Sequence, residues 1–285
     1  MSHCPVGHER FETLRALCLR ETTTALSASG LLRWLPARSL IYSMAGPSTR
    51  FAERLARFDR AIAERGLAAA AADITAVWAT ALRVEGPVPI ASRRPTVIVA
   101  NHPGLIDAVA LLSCLGGHDI RVLAAHRPML SALPALSDHL IAIGPTAGQP
   151  RRALLAARRH LSTGGTLVVF PAGRIEPDPK HAPGLARAAL AEWSPSAVWL
   201  ARHAAEATIV PTAISGVIAP NARRRLWVRA GGRDVLTRDW LAATAQALQP
   251  GRYPIRPRVC FAAPLAGAEA SAAALAAAMT GLYDG

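Results

Sequence analysis

Apolar residues follow two regimes along the chain, and the change falls near residue 83. Before it they recur at helical spacing. Across 47–65, Phe51, Leu55, Phe58 and Ile62 make one stripe, with Arg50, Arg54, Arg57 and Arg60 on the other sides. Residues 1–82 therefore read as helical throughout. After residue 83, short apolar runs bounded by turn residues alternate with helical stretches, the signature of an α/β fold. Strands are predicted at 83–85 (an edge strand), 96–101, 120–124, 139–143, 166–170 and 208–214, with further short ones at 226–229 and 256–262. Helices are predicted over 108–115 and 149–161, and an Ala-rich helix over 266–283 closes the chain. The expected architecture is a mixed, largely parallel sheet flanked by helices. Its parts are an N-terminal helical region (1–82), an α/β domain (83–265) and a C-terminal helix (266–285).

Charge sharpens this picture. The formal net charge is +13, from 32 Lys+Arg against 19 Asp+Glu, and nearly all the cations are Arg. Such a balance favours acidic partners such as anionic lipid, phosphorylated substrates or an acidic carrier protein, unless it reflects only a GC-rich coding genome. Nucleic acid is set aside, because aromatics are 5% of the chain and no interleaved basic–aromatic platform appears. The stripe on 47–65 either packs on the protein's own core or lies on an anionic bilayer. The stretch 26–44, with Arg33, Trp34, Arg38 and Tyr42, leaves the same choice. Arg151, Arg152, Arg158 and Arg159 share one helix face, read as a solvated face or an anion-binding wall.

No secretory signal opens the sequence. The most apolar stretch, 66–82, is Ala-dominated and broken by Asp73, too weak for a membrane span. The chain is expected in the cytoplasm, peripheral on the inner face of the cell membrane. Cys4, Cys18, Cys114 and Cys260 contain no C-x-x-C pair, so a reduced compartment is expected and a disulfide framework is not. His3, Cys4 and His8 read as a polar terminus rather than a metal site. No metal is expected.

The candidate chemistry is in Asn101-His102-Pro103-Gly104-Leu105-Ile106-Asp107, directly after the apolar run 96–100. A strand-to-helix junction presents side chains at the open edge of an α/β sheet, where ligands bind. A His oriented by an Asp takes a proton from a hydroxyl near neutral pH. The spacing alone is weak, with about 0.3 chance matches for this composition. The pair meets if the chain bends at Pro103-Gly104 and the helix begins near Leu105; Gly104 also admits close approach by a substrate. A second junction, Phe170-Pro171-Ala172-Gly173-Arg174, ends a strand in a Pro-x-Gly turn. Its exposed N–H groups suit an oxyanion, with Gly173 the candidate donor and Arg174 a fixed positive charge. Cys114 reads as a buried structural thiol. A hydrolase elbow is missing, because Ala213-Ile214-Ser215-Gly216 lacks the first glycine of G-x-S-x-G.

These stretches, in this order, resemble the glycerolipid acyltransferase family, the lysophosphatidic-acid-acyltransferase-like enzymes. Asn101-His102 through Asp107 matches its N-H-x-x-x-x-D block, and Phe170–Arg174 resembles its F-P-x-G block. Residues 209–214 resemble its apolar block with a central proline, and His139 to Pro145 sits where its second block belongs. The resemblance implies an O-acyltransferase that moves a fatty acyl group from an acyl thioester to a lysolipid hydroxyl. The thioester is acyl-CoA or acyl-carrier protein, a co-substrate, and no cofactor is implied. His102 is then the base and Asp107 its orienting partner. Asn101, Gly104, Phe170, Pro171, Ala172, Gly173, Arg174, Arg151 and Arg152 are the substrate-binding candidates.

Two positions depart from the family pattern. Ala172 stands where many members have Glu, and 143–145 lacks the Arg attributed to phosphate binding. The F-P-A-G form resembles a branch that acylates lyso-ornithine lipids. The alternatives are thus a non-glycerophosphate acceptor or a lipid-binding protein with altered catalysis.

Overall fold

The structure is a computed structural model that describes residues 5–28, 37–89, 94–117, 119–231 and 234–284. Three helices come first: α1 (Pro5–Ala28), α2 (Ala37–Arg65) and α3 (Leu67–Ala76). Next follow β1 (Arg83–Glu85), β2 (Thr96–Ala100), α4 (Asp107–Cys114) and β3 (Ile120–Ala125). The one-turn helices α5 (Pro128–Ser131) and α6 (Pro134–Ser137) lead to β4 (Leu140–Ile143), α7 (Gln149–Ser162) and β5 (Thr166–Val169). The chain continues through α8 (Pro183–Ala189), α9 (Ser196–Arg202), β6 (Thr208–Ser215), α10 (Pro220–Arg223), α11 (Leu226–Gly231) and α12 (Val235–Leu248). It ends with β7 (Arg258–Phe261), β8 (Leu265–Ala266) and α13 (Ala272–Asp284).

The strands form one eight-stranded sheet in the order β1-β7-β6-β2-β5-β3-β4, with β8 also on β6. Pairing is parallel except where β6 meets β7 and β8. This is the mixed, largely parallel sheet expected. Every residue of β2 is buried, as a strand covered on both faces must be. Ile98 and Ala100 point into one core with α1–α4 and α12; Val97 and Val99 point into a second with α7, α9 and α13. Pro211 sits in β6 between the stretches paired with β7 and with β8, and its carbonyl accepts from Ala262 N–H. The side of the strand that lacks an N–H therefore faces the gap between two partners, where no donor is needed.

The stripe on α2 is spent internally. Phe58 and Ile62 are buried, Phe51 and Leu55 pack on the first core, and Arg50, Arg57 and Arg60 face outward. Of the two readings of this stripe, core packing is the one observed. Residues 29–36, which include Arg33 and Trp34, and His3 and Cys4 lie outside the described residues; His8 is exposed. Among the described residues, no helix is long and apolar enough to cross a membrane.

Two element predictions are corrected. Residues 226–229 belong to α11, not a strand. A four-residue apolar run has no periodicity to separate the two, and the run buries Val228 while leaving Leu226 exposed. The closing helix starts at Ala272 rather than 266. Leu265–Ala266 pairs with β6, and the N–H of Gly267 bonds the carbonyl of Ala207 at 2.7 Å. The helix then opens on Ser271, whose Oγ accepts from Ala274 N–H at 3.0 Å.

Candidate active site

β2, β5 and β6 lie side by side, so the loops leaving their C-terminal ends meet at one edge of the sheet. Asn101 continues the register of β2 with its side chain. Its Nδ2 donates to the Ile214 carbonyl at 2.9 Å, and its Oδ1 accepts the Ile214 N–H at 2.7 Å. The buried amide thus imitates one further peptide of the β2–β6 ladder. Both ends of the Asn101 amide bond the sheet, which fixes where the loop leaves β2.

The next residue, His102, projects from this anchored point. Its Nδ1 lies 2.8 Å from Asp107 Oδ2. The same oxygen accepts the Gly104 N–H at 3.0 Å, and Oδ1 accepts the Ala108 N–H at 2.8 Å. The chain bends at Pro103-Gly104 as expected, but α4 begins at Asp107 rather than near Leu105. The close neighbour of Gly104 is the chain itself. A Cβ there would come within 3.2 Å of Val217 and 3.3 Å of Ile218, so the glycine lets the loop after β6 pack close. Asp107 is fully buried, whereas the His102 side chain keeps 28% of its surface. The acceptor-only carboxylate fixes the proton on Nδ1, so Nε2 carries the lone pair.

The second block comes to the same place. The Phe170 ring lies 5.0 Å from the His102 ring, centroid to centroid. Pro171 is buried, Ala172 half-buried, and Gly173 and Arg174 exposed. Gly173 has φ +62° and its N–H closes the turn on the Phe170 carbonyl at 3.1 Å. That donor is therefore already used. Among the described residues, the N–H groups of Ala172 and Arg174 have no acceptor. Arg174 forms an exposed ion pair with Glu192. Arg151 and Arg152 are exposed on α7, which follows β4, three places along the sheet from β2. They are not brought to His102.

Sequence reasoning missed Glu176. Its side chain is buried; Oε2 accepts the His102 N–H at 2.9 Å and Oε1 accepts the Trp193 indole N–H at 2.6 Å. Its own N–H donates to the His102 carbonyl at 2.8 Å. Burial pushes the Glu176 carboxyl up, only partly offset by Trp193 and His102. The signal available was slight: Glu176 is the only acid in 170–177. For His102, burial disfavours the charged ring. The Asp107 carboxylate, through its charge and hydrogen bond, and the Glu176 charge outweigh it, so the pKa is raised. Cys114 is half-buried, with Sγ 3.1 Å from the Ala110 carbonyl and its thiol pushed up by burial, as suits an inert thiol.

A buried carboxylate, an imidazole oriented by it and a turn whose Ala172 and Arg174 N–H groups have no acceptor among the described residues thus lie together at one edge of the sheet. Residues 81–215 match a family model described as Acyltransferase. Over this segment the chain is similar to the acyltransferase family. Both His102 and Asp107 lie inside the matched segment, as does the Phe170–Arg174 turn. No curated protein matches the chain. Among solved structures the chain resembles a crystal structure of the 1-acyl-sn-glycerophosphate (LPA) acyltransferase PlsC from Thermotoga maritima. The identity is 15% and the TM-score 0.47, over 95% of this chain and 96% of that one.

Proposed function

We propose that this acyltransferase moves a fatty acyl group from an acyl thioester, acyl-CoA or acyl-carrier protein, to the hydroxyl of a lysolipid such as 1-acylglycerol-3-phosphate. The class of reaction rests on the family match over residues 81–215. The observation that carries the roles is the 2.8 Å contact between His102 Nδ1 and buried Asp107, beside Phe170. His102 Nε2 takes the acceptor's hydroxyl proton as the oxygen attacks the thioester carbonyl carbon. Asp107 holds the tautomer and stabilises the imidazolium. The tetrahedral oxyanion is met by the N–H groups of Ala172 and Arg174. Collapse breaks the C–S bond, and the thiolate leaves with the proton held on Nε2. Leu105, exposed in the same loop, offers apolar contact to an acyl chain.

A second acceptor class has specific support. Ala172 replaces an acid, 143–145 has no Arg, and Arg174 is already paired with Glu192. This leaves the motif turn short of free charge for a phosphate and favours an acceptor such as a lyso-ornithine lipid. Reading the protein as a lipid binder with altered catalysis has less support, since the His–Asp pair is assembled. The net charge of +13 supports peripheral attachment to an anionic membrane surface through exposed Arg side chains rather than the α2 stripe. The test is mass spectrometry of total lipids from cells with the active protein and with His102→Ala. A diacyl product present only with the active protein names the acceptor; identical lipid profiles, with no thioester release on a lysolipid panel, would overturn the reading.

A further inference from the structure

A cavity of about 520 Å³ opens on the face of the sheet opposite the Phe170 side chain. Its floor includes Ala213 and Cys260, which face the second core, and α13 contributes Leu282 and Tyr283. Four cations line it: Arg83, Lys180, Arg256 and Arg258. Lys180 is the only lysine in a chain with 31 arginines. A smaller cavity of about 290 Å³ is lined by the same Lys180 and Arg256, with Gly216 and His181. The two cations thus stand where two adjoining cavities meet.

Their charges are not cancelled from within. Glu85, outside the lining, is shared by Arg83 and Arg258, and Asp284, the one carboxylate among the described lining residues, is held by Arg187. Among the described residues, Lys180 and Arg256 have no acidic partner. Their positions are nonetheless built. The buried Asp178 carboxylate accepts the N–H groups of Lys180, Gly216, Val217 and Ile218 at 3.0–3.3 Å, which pins the Lys180 backbone to the end of β6. Gly216, at φ +69°, lets the Arg256 carbonyl and the Lys180 stem close in; a Cβ there would lie 2.7 Å from the former and 3.4 Å from the latter. An ammonium and a guanidinium, both from exposed residues that line the same two cavities, attract an anion. Phosphate oxygens fit the arginine fork and the lysine point charge. The apolar floor leaves room for an organic group attached to that anion.

We propose that Lys180 and Arg256 bind a phosphate ester or diphosphate of an organic ligand in this cavity. The proposal rests on the cavity alone. The acyl-transfer reading adds only two candidate sources, the diphosphate end of a coenzyme A donor and the phosphate of a lysolipid acceptor.

The test is calorimetric titration of the full chain with inorganic pyrophosphate, free coenzyme A and a short-chain 1-acylglycerol 3-phosphate. Lys180→Ala/Arg256→Ala is compared with Arg57→Ala/Arg60→Ala, which removes two exposed charges on α2, and with Lys180→Arg, which keeps the charge. The expected result is binding that falls at least tenfold in the first double variant and persists in the other two. It should also persist in His102→Ala. Tighter coenzyme A identifies the donor, and tighter acylglycerol phosphate the acceptor. No binding by the wild type would overturn the proposal, as would a loss no larger in Lys180→Ala/Arg256→Ala than in the α2 variant. Circular dichroism confirms that each variant is folded; if Lys180→Ala/Arg256→Ala is not, Lys180→Gln and Arg256→Gln replace it under the same criteria. Binding kept without acyl transfer would sink the proposed reaction and leave this site standing.

Discussion

Glu176 holds the His102 peptide at both of its polar ends: carboxylate Oε2 accepts the His102 N–H, and the Glu176 N–H donates to the His102 carbonyl. Asp107 holds the ring of the same residue. The backbone and the imidazole are thus fixed by different carboxylates, one from each motif-bearing loop. A base held this way loses little orientational freedom before reaction, which is what a positioned general base requires.

The first consequence concerns the ring itself. His102→Ala should lower turnover by about 10²–10⁴-fold, the usual contribution of a general base. The melting temperature should change little, because the side chain is partly exposed and the backbone contacts to Glu176 remain. Thioester release and thermal melting measured on the same preparation check both parts. Wild-type turnover in the variant would remove His102 from the chemistry.

The raised pKa of His102 predicts a pH profile. A base must be neutral to accept a proton, so activity should fall as pH drops through a pKa above the ordinary histidine value. Glu176→Gln removes one of the charges that stabilise the imidazolium, so the acidic limb should move to lower pH. The linkage to stability has the opposite sense. The protonated ring stabilises the fold fully below its unfolded pKa, and that contribution is lost as pH rises through the folded pKa. kcat/KM profiles of wild type and Glu176→Gln would show the shift; superimposable limbs would contradict it.

Asn101→Ala should damage stability more than substrate affinity. The substitution strands a buried N–H and a buried carbonyl of Ile214, each at a cost of about 1–3 kcal/mol. The denaturant midpoint should drop, with KM unchanged in whatever protein remains folded. A stable variant with a raised KM would assign Asn101 to the substrate.

Arg174 pairs with Glu192 at the surface, where such pairs contribute about 0–1 kcal/mol. Arg174→Ala should therefore leave the melting temperature nearly unchanged. If the acceptor carries an anion read at this turn, KM rises while kcat holds. Unchanged kinetics across an acceptor panel would make Arg174 a surface residue only.

The sheet's centre was legible because β2, β5 and β6 are buried on both faces and read as unbroken apolar runs. The H-x-x-x-x-D spacing was legible because the bend is written in Pro103-Gly104. Leu226–Gly231 was not, since a short apolar run has no period to betray a helix. The role of Asn101 was hidden because its partner, Ile214, lies 113 residues away. Glu176 was hidden for a related reason: its neighbours His102 and Trp193 come from separate loops, and only the folded chain juxtaposes them.

β7 runs against β6, with Ser215 beside Arg258, so the chain enters β7 at the edge where it leaves β2 and β6. β1 pairs with β7 alone. The segment 81–215 is consequently not a self-sufficient unit. Excised, it would carry β1 with nothing to pair to and β6 with a bare flank of hydrogen-bonding groups, an invitation to join another molecule's sheet. The last thirty or so residues act as a clasp between the two, so a premature stop codon well downstream of His102 should be as disabling as a lesion at His102 itself.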